Sequence, residues 1–128
     1  MPTSDAPQRG RLLAAISTAM VRLHAEYYGK GPTKAKSYYW DDLVVCVLQD
    51  GFTTIEKTLV AAGEEDAVRH IRATFQRAMR EKFVGAVEEL TGRKVISFLS
   101  STGVDPDRDV ETFLLEPLPE DAVSPAAS

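Results

Sequence analysis

The sequence predicts an α+β domain in which two β-hairpins form one antiparallel sheet of about four strands, packed against two long helices and one short helix. Three observations carry that prediction. Apolar residues recur three or four apart over two long stretches, two pairs of short runs are rich in β-branched and aromatic residues, and glycines or capping residues punctuate the boundaries. A chain of 128 residues, 44% hydrophobic and 27% charged, has the size and composition of one soluble globular domain. That domain is expected over residues 9–116. Residues 1–8 and 117–128 lack an apolar face and are expected to be loose tails, the second acidic and rich in Pro, Ala and Ser.

In chain order, Leu12, Ile16, Ala19, Met20, Leu23 and Tyr27 share one side of a first helix that ends before Gly29. GKGPTKAK (Gly29 to Lys36) breaks the pattern. SYYW and LVVCVL, separated by Asp41 and Asp42, then read as a hairpin. Six consecutive apolar residues, Leu43 to Leu48, leave the second strand no polar face, so it is expected in the centre of the sheet, covered on both sides by helices or by a partner chain. Thr53 and Glu56 have the spacing of a capping box at the start of a short second helix, with Ile55, Thr58, Leu59 and Ala62 as its inner face. Glu64, Glu65 and Asp66 complement the dipole of a third helix. Its apolar stripe is Val68, Ile71, Phe75, Met79, Phe83, Ala86, Val87 and Leu90. At 1.5 Å per residue it would be about 39 Å long, so it must span the body, kink near Gly85 or project into a partner. VISFLS and VETFLL complete the second hairpin.

The formal charge of −4 is unevenly spread. Seven acids face only Arg108 between Asp105 and Asp121, whereas five bases face only Glu81 between Arg69 and Lys82, and Lys30, Lys34 and Lys36 have no acid among them. A net-negative chain is a poor general ligand for nucleic acid, because phosphate repulsion acts over the screening length, and none is expected as a partner. The single Cys46 excludes an internal disulfide and suits a reducing cytoplasm. With no long apolar run, direct membrane insertion is not expected.

GKGPTKAK invites a phosphate-loop reading, but it follows a helix and precedes a strand, and Pro32 has no amide hydrogen to give. What remains is a turn with Lys30, Lys34 and Lys36 available to an acidic partner or a small oxyanion; solvated lysines are the plainer reading. Arg69, Arg72, Gln76 and Arg80 share one helical face, and guanidiniums in a row hold carboxylates or phosphates bidentately. The plainer reading there is a solvated stripe with Glu65–Arg69 and Arg77–Glu81 pairs. Asp105, Asp107, Asp109, Glu111 and Glu116 match five positions of a calcium loop, but Val110 stands where its obligatory glycine would be. His24 and His70 have no evident ligand set, Cys46 lies in an apolar strand, and Ser100, Ser101 and Thr102 lack a hydrolase context. Neither enzyme activity, nor a metal, nor a cofactor is expected.

Over residues 10 to 116 the segments RLHAEYYGKGPTKAK, LVVCVLQDGFTTIEKTL, VRHIRATFQRAM, ELTGRKV and VETFLLE resemble the MpsC-like family, with Gly29, Lys30, Gly31, Pro32, Thr33, Lys34, Gly92 and Arg93 as its signature positions. The resemblance implies a component of a bacterial Na+-translocating, membrane-potential-generating system, engaged in ion or inorganic-carbon transport, whose other subunits are integral membrane proteins. It implies no reaction. The resulting expectation is a non-enzymatic, cytoplasmic accessory module, a homodimer, that docks a protein partner such as those membrane subunits. Its binding residues would be Gly29, Lys30, Gly31, Pro32, Thr33, Lys34 and Lys36 with Arg69, Arg72 and Arg80. The alternative is a small-anion or nucleotide sensor using the same bases.

Overall fold

The computed structural model describes residues 2–119. The element order is α1 (Pro2–Tyr28), β1 (Lys34–Trp40), β2 (Leu43–Gln49), α2 (Thr54–Ala61), α3 (Glu65–Thr91), β3 (Val95–Gly103) and β4 (Arg108–Leu115). The strands form one antiparallel sheet in the order β1-β2-β4-β3, so the apolar β2 is internal as its composition requires. α1 packs on β1 and β2, α3 on β3, and the two long helices lie against each other on the same face. This is the predicted α+β architecture. α1 reaches back to Pro2, through residues expected as a tail, because a proline near a helix start forfeits little. The expectation for residues 120–128 lies outside the described residues.

Strand alternation sorts the sheet into two faces. Across the helix-covered face run Tyr39, Val44, Phe113 and Phe98, then Ser37, Cys46, Glu111 and Ser100, then Ala35, Leu48, Asp109 and Thr102. The first row joins the main core of Ile16, Met20, Met79, Phe83, Val87, Val95 and Leu115. The next two bring a carboxyl group each into the interior. On the other face the rows are Trp40, Leu43, Leu114 and Ser97; Tyr38, Val45, Thr112 and Leu99; Lys36, Val47, Val110 and Ser101; Lys34, Gln49, Arg108 and Gly103. A bulge at Ile96 lets Val95 point inward while Ser97 points out. No helix of the described residues packs on this second face. The sequence expectation of cover on both sides is therefore met on one side only within a single chain.

Two inner faces depart from the apolar pattern. Ile55 of α2 and Ile71 of α3 are exposed, and the neighbouring Glu56 and Arg72 point inward. Tyr27 is likewise exposed while His24 is buried. For Ile55 and Ile71 the reason is electrostatic and lies in the pairing of Glu56 with Arg72.

Candidate functional site

Arg72 is completely buried, at 0% exposure, in the middle of α3. Its Nε and Nη2 donate to the two carboxylate oxygens of Glu56 at 2.7 and 2.6 Å, Nη1 donates to Asp109 Oδ2 at 2.8 Å, and Nη2 also donates to the Gly51 carbonyl at 2.8 Å. The planar guanidinium lies 4.1 Å from the Tyr28 ring centroid and 5.0 Å from that of Phe52. An arginine can be buried only when its donors are met in this way, which explains why it displaced Ile71 from the interior. Glu56 is shared between two tasks. The same carboxylate accepts from the Thr53 backbone N–H at 2.9 Å, closing the predicted capping box at the start of α2.

Further buried polar groups lie in the same interior. Asp109 Oδ1 accepts from Thr102, and Glu111 Oε1 accepts from Ser100 at 2.8 Å. His24 Nδ1 donates to the Met20 carbonyl at 2.7 Å, and its ring stacks on Phe83 with centroids 5.2 Å apart. Among the described residues, His24 Nε2, Tyr28 Oη, both amide atoms of Gln76 and Glu111 Oε2 are buried without a hydrogen-bond partner. One guanidinium cannot neutralise three carboxylates, and the acids respond differently. Burial pushes Glu56 upward, but the Arg72 and Thr53 bonds outweigh it and hold it below its ordinary value. Burial pushes Asp109 up despite Arg72, and it carries Glu111, with no cation on it, up to about 8. Burial lowers His24, so the imidazole stays neutral. It also raises the Cys46 thiol to about 11, which leaves that sulfur a packing group. The centre holds titratable protons, on Glu111 above all.

The predicted binding residues meet different fates. Lys30 Nζ donates to the Phe52 carbonyl at 2.9 Å and the Asp50 carbonyl at 3.2 Å, next to the Gly51 carbonyl taken by Arg72. The two basic segments thus converge on the turn after β2, but as clamps on it. Thr33 Oγ1 donates to Asp50 and its amide donates to the Gln49 carbonyl; Pro32 is buried against Gly51. Gly29 takes the positive φ that ends α1, and Gly31 approaches α1 so closely that a Cβ would lie 3.2 Å from that of Ala25. Arg72, expected on an accessible face, is the largest fully buried side chain. Arg69 pairs with Asp66 instead of Glu65, and Arg77 donates to Thr74 with no Arg77–Glu81 ion pair formed. Lys34, Lys36 and Arg80 remain at the surface. Arg93, the other signature base, donates to Tyr39 Oη, to Asp42 and to the Asp41 and Glu116 carbonyls, tying the β1–β2 turn to the end of β4. The acids of the calcium-like pattern do not converge: Asp107 accepts from the Phe52 amide, whereas Asp109 and Glu111 point inward to Arg72 and Ser100.

The accessible feature is the uncovered sheet face. Leu99 is 66% exposed and Trp40 55%, with Ile96 and Leu114 also exposed; Trp40 stacks on Tyr38 at 5.3 Å. Its four rows contain no acid, and its bases, Lys34, Lys36 and Arg108, gather at one end.

Compared with protein families, residues 8–117 match the one described as Na+-translocating membrane potential-generating system (MpsC). The chain belongs to the MpsC family. Comparison with curated proteins and with solved structures gives no match. The family description points to a component of a Na+ membrane-potential system, and no helix of the described residues in this MpsC chain is long and apolar enough to cross a membrane.

Proposed function

We propose that this MpsC-family chain is a non-enzymatic accessory module of a Na+-translocating, membrane-potential-generating system, acting in the cytoplasm by protein contacts, and that it self-associates through the uncovered sheet face. The observation that supports this is the face itself, an apolar, acid-free surface of four strands with no helix packed on it. Its size suits a second copy. Four strands of seven to nine residues at about 4.8 Å spacing and 3.4 Å rise present roughly 500 Å² of flat area, more once side chains corrugate it, against about 800 Å² per partner in a standard interface. Two copies related by a two-fold axis overlay their apolar rows and leave the Lys34 and Arg108 ends apart, avoiding like-charge contact. The non-enzymatic reading is supported by the Arg72, Glu56 and Asp109 cluster, whose buried charges pair with one another. The basic end of the face, Lys34 with Lys36, is where a membrane subunit of the system would meet the dimer.

Light scattering on the wild type and on Leu99→Asp tests the self-association. At about 100 µM the wild type approaches twice the chain mass, and Leu99→Asp, a change at an exposed position, keeps the single-chain mass with an unchanged circular dichroism spectrum. A monomeric wild type contradicts the proposal.

A further inference from the structure

On the helix-covered side of the sheet, α3 and β3 part to leave an open cleft of about 240 Å³ lined by Ala73, Gln76, Arg77, Arg80, Phe98 and Ser100. Three observations bear on its occupant. Gln76 is only 4% exposed, yet neither its Nε2 nor its Oε1 has a partner in the protein. Buried amides are almost always paired, so an orphaned carboxamide on the wall of a cleft is an unmet demand for a polar ligand. Arg77 and Arg80 stand at the same cleft, and neither forms an ion pair with a carboxylate among the described residues; Arg80 Nη1 donates only to the Phe98 carbonyl at 3.3 Å, and Arg77 only to Thr74. The guanidinium of Arg80 lies 5.8 Å from the Phe98 ring centroid, which holds its planar fork beside an apolar wall.

We propose that this cleft is a binding site for a small monocarboxylate, with Arg80 and the Gln76 amide N–H group as donors to the carboxylate and Ala73 and Phe98 receiving a short apolar tail. The sign of the charge follows from the arginines. A cation is excluded by two guanidiniums that form no ion pair with a carboxylate among the described residues. The planar fork of arginine matches a carboxylate, and the volume lies below that of sites for drug-sized molecules, which limits the ligand to a few heavy atoms. The site is distinct from the uncovered sheet face, so its occupancy and the dimer are separate questions.

The test is calorimetric titration and thermal melting of the full chain with propionate, using chloride and sulfate at equal ionic strength as controls. Propionate binds saturably and raises the melting temperature, and chloride does neither. Arg80→Gln, at an exposed position, weakens propionate binding at least tenfold while leaving the unliganded melting temperature in place. Gln76→Leu also loses binding, and its own melting temperature does not fall, because the orphaned amide is gone. No saturable heat with propionate, equal affinity in Arg80→Gln, or tighter binding of sulfate than of propionate overturns the proposal. Scattering mass recorded on the same samples reports the dimer independently.

Discussion

Arg72 is the residue on which most of the interior turns, since it holds the start of α2 through Glu56, the end of β2 through Gly51 and β4 through Asp109. Arg72→Met removes those donors and leaves two carboxylates buried without their cation, so the urea midpoint should fall by the equivalent of about 3–5 kcal/mol. A loss under 1 kcal/mol would mean the cluster is solvated in solution. Glu111 makes a different prediction. Its folded-state value near 8 lies above the roughly 4.3 of an unfolded glutamate, so the folded chain binds this proton more tightly, and the stabilisation is complete at low pH and lost as pH rises through about 8. Asp109, also raised by burial, acts in the same sense, whereas neutral His24 contributes stability that disappears as pH falls below the unfolded imidazole value near 6.5. Denaturation midpoints measured from pH 6 to 9 should decline in the wild type and decline less steeply in Glu111→Gln. Equal slopes would assign the decline elsewhere. None of this charge placement was legible in the chain. Periodicity assigns inward positions to Ile55 and Ile71, and only the pairing of Glu56 with Arg72 across sixteen residues reverses it.

At the scale of elements the sequence was more informative. The β1–β2 hairpin with its Asp41–Asp42 turn, the capping box at Thr53 and Glu56, and the stop of α3 at Gly92 all rest on local backbone chemistry and stand where expected. The GKGPTK loop was legible as a turn but not as a clamp, because its carbonyl partners at Asp50 and Phe52 come from another element. Spending Lys30 on carbonyls leaves Lys34 and Lys36 on β1 as the bases of this segment exposed to a partner. If the proposed docking holds, Lys34→Glu with Lys36→Glu should abolish co-purification of the proposed membrane-subunit partners and leave the scattering mass unchanged. Retained co-purification would remove the basic end of β1 from the docking surface. Lys30→Met should lower stability instead, since it frees the turn that Arg72 also holds.

For the whole molecule, the decisive asymmetry is that two long helices shield one face of the sheet and nothing in the described chain shields the other. Six consecutive apolar residues in β2 already demanded cover on both sides, but strand order and helix placement depend on contacts between distant segments, so the sequence did not say which side the helices take. Exposed apolar surface of this kind is what the proposed self-association would cover. Sedimentation equilibrium of the wild-type chain, followed from about 1 to 100 µM, tests that claim most directly, because it reads the association without any substitution. A fitted mass that climbs from the chain's 14.0 kDa toward double that value supports the account. A mass that stays at 14.0 kDa over the whole range contradicts it.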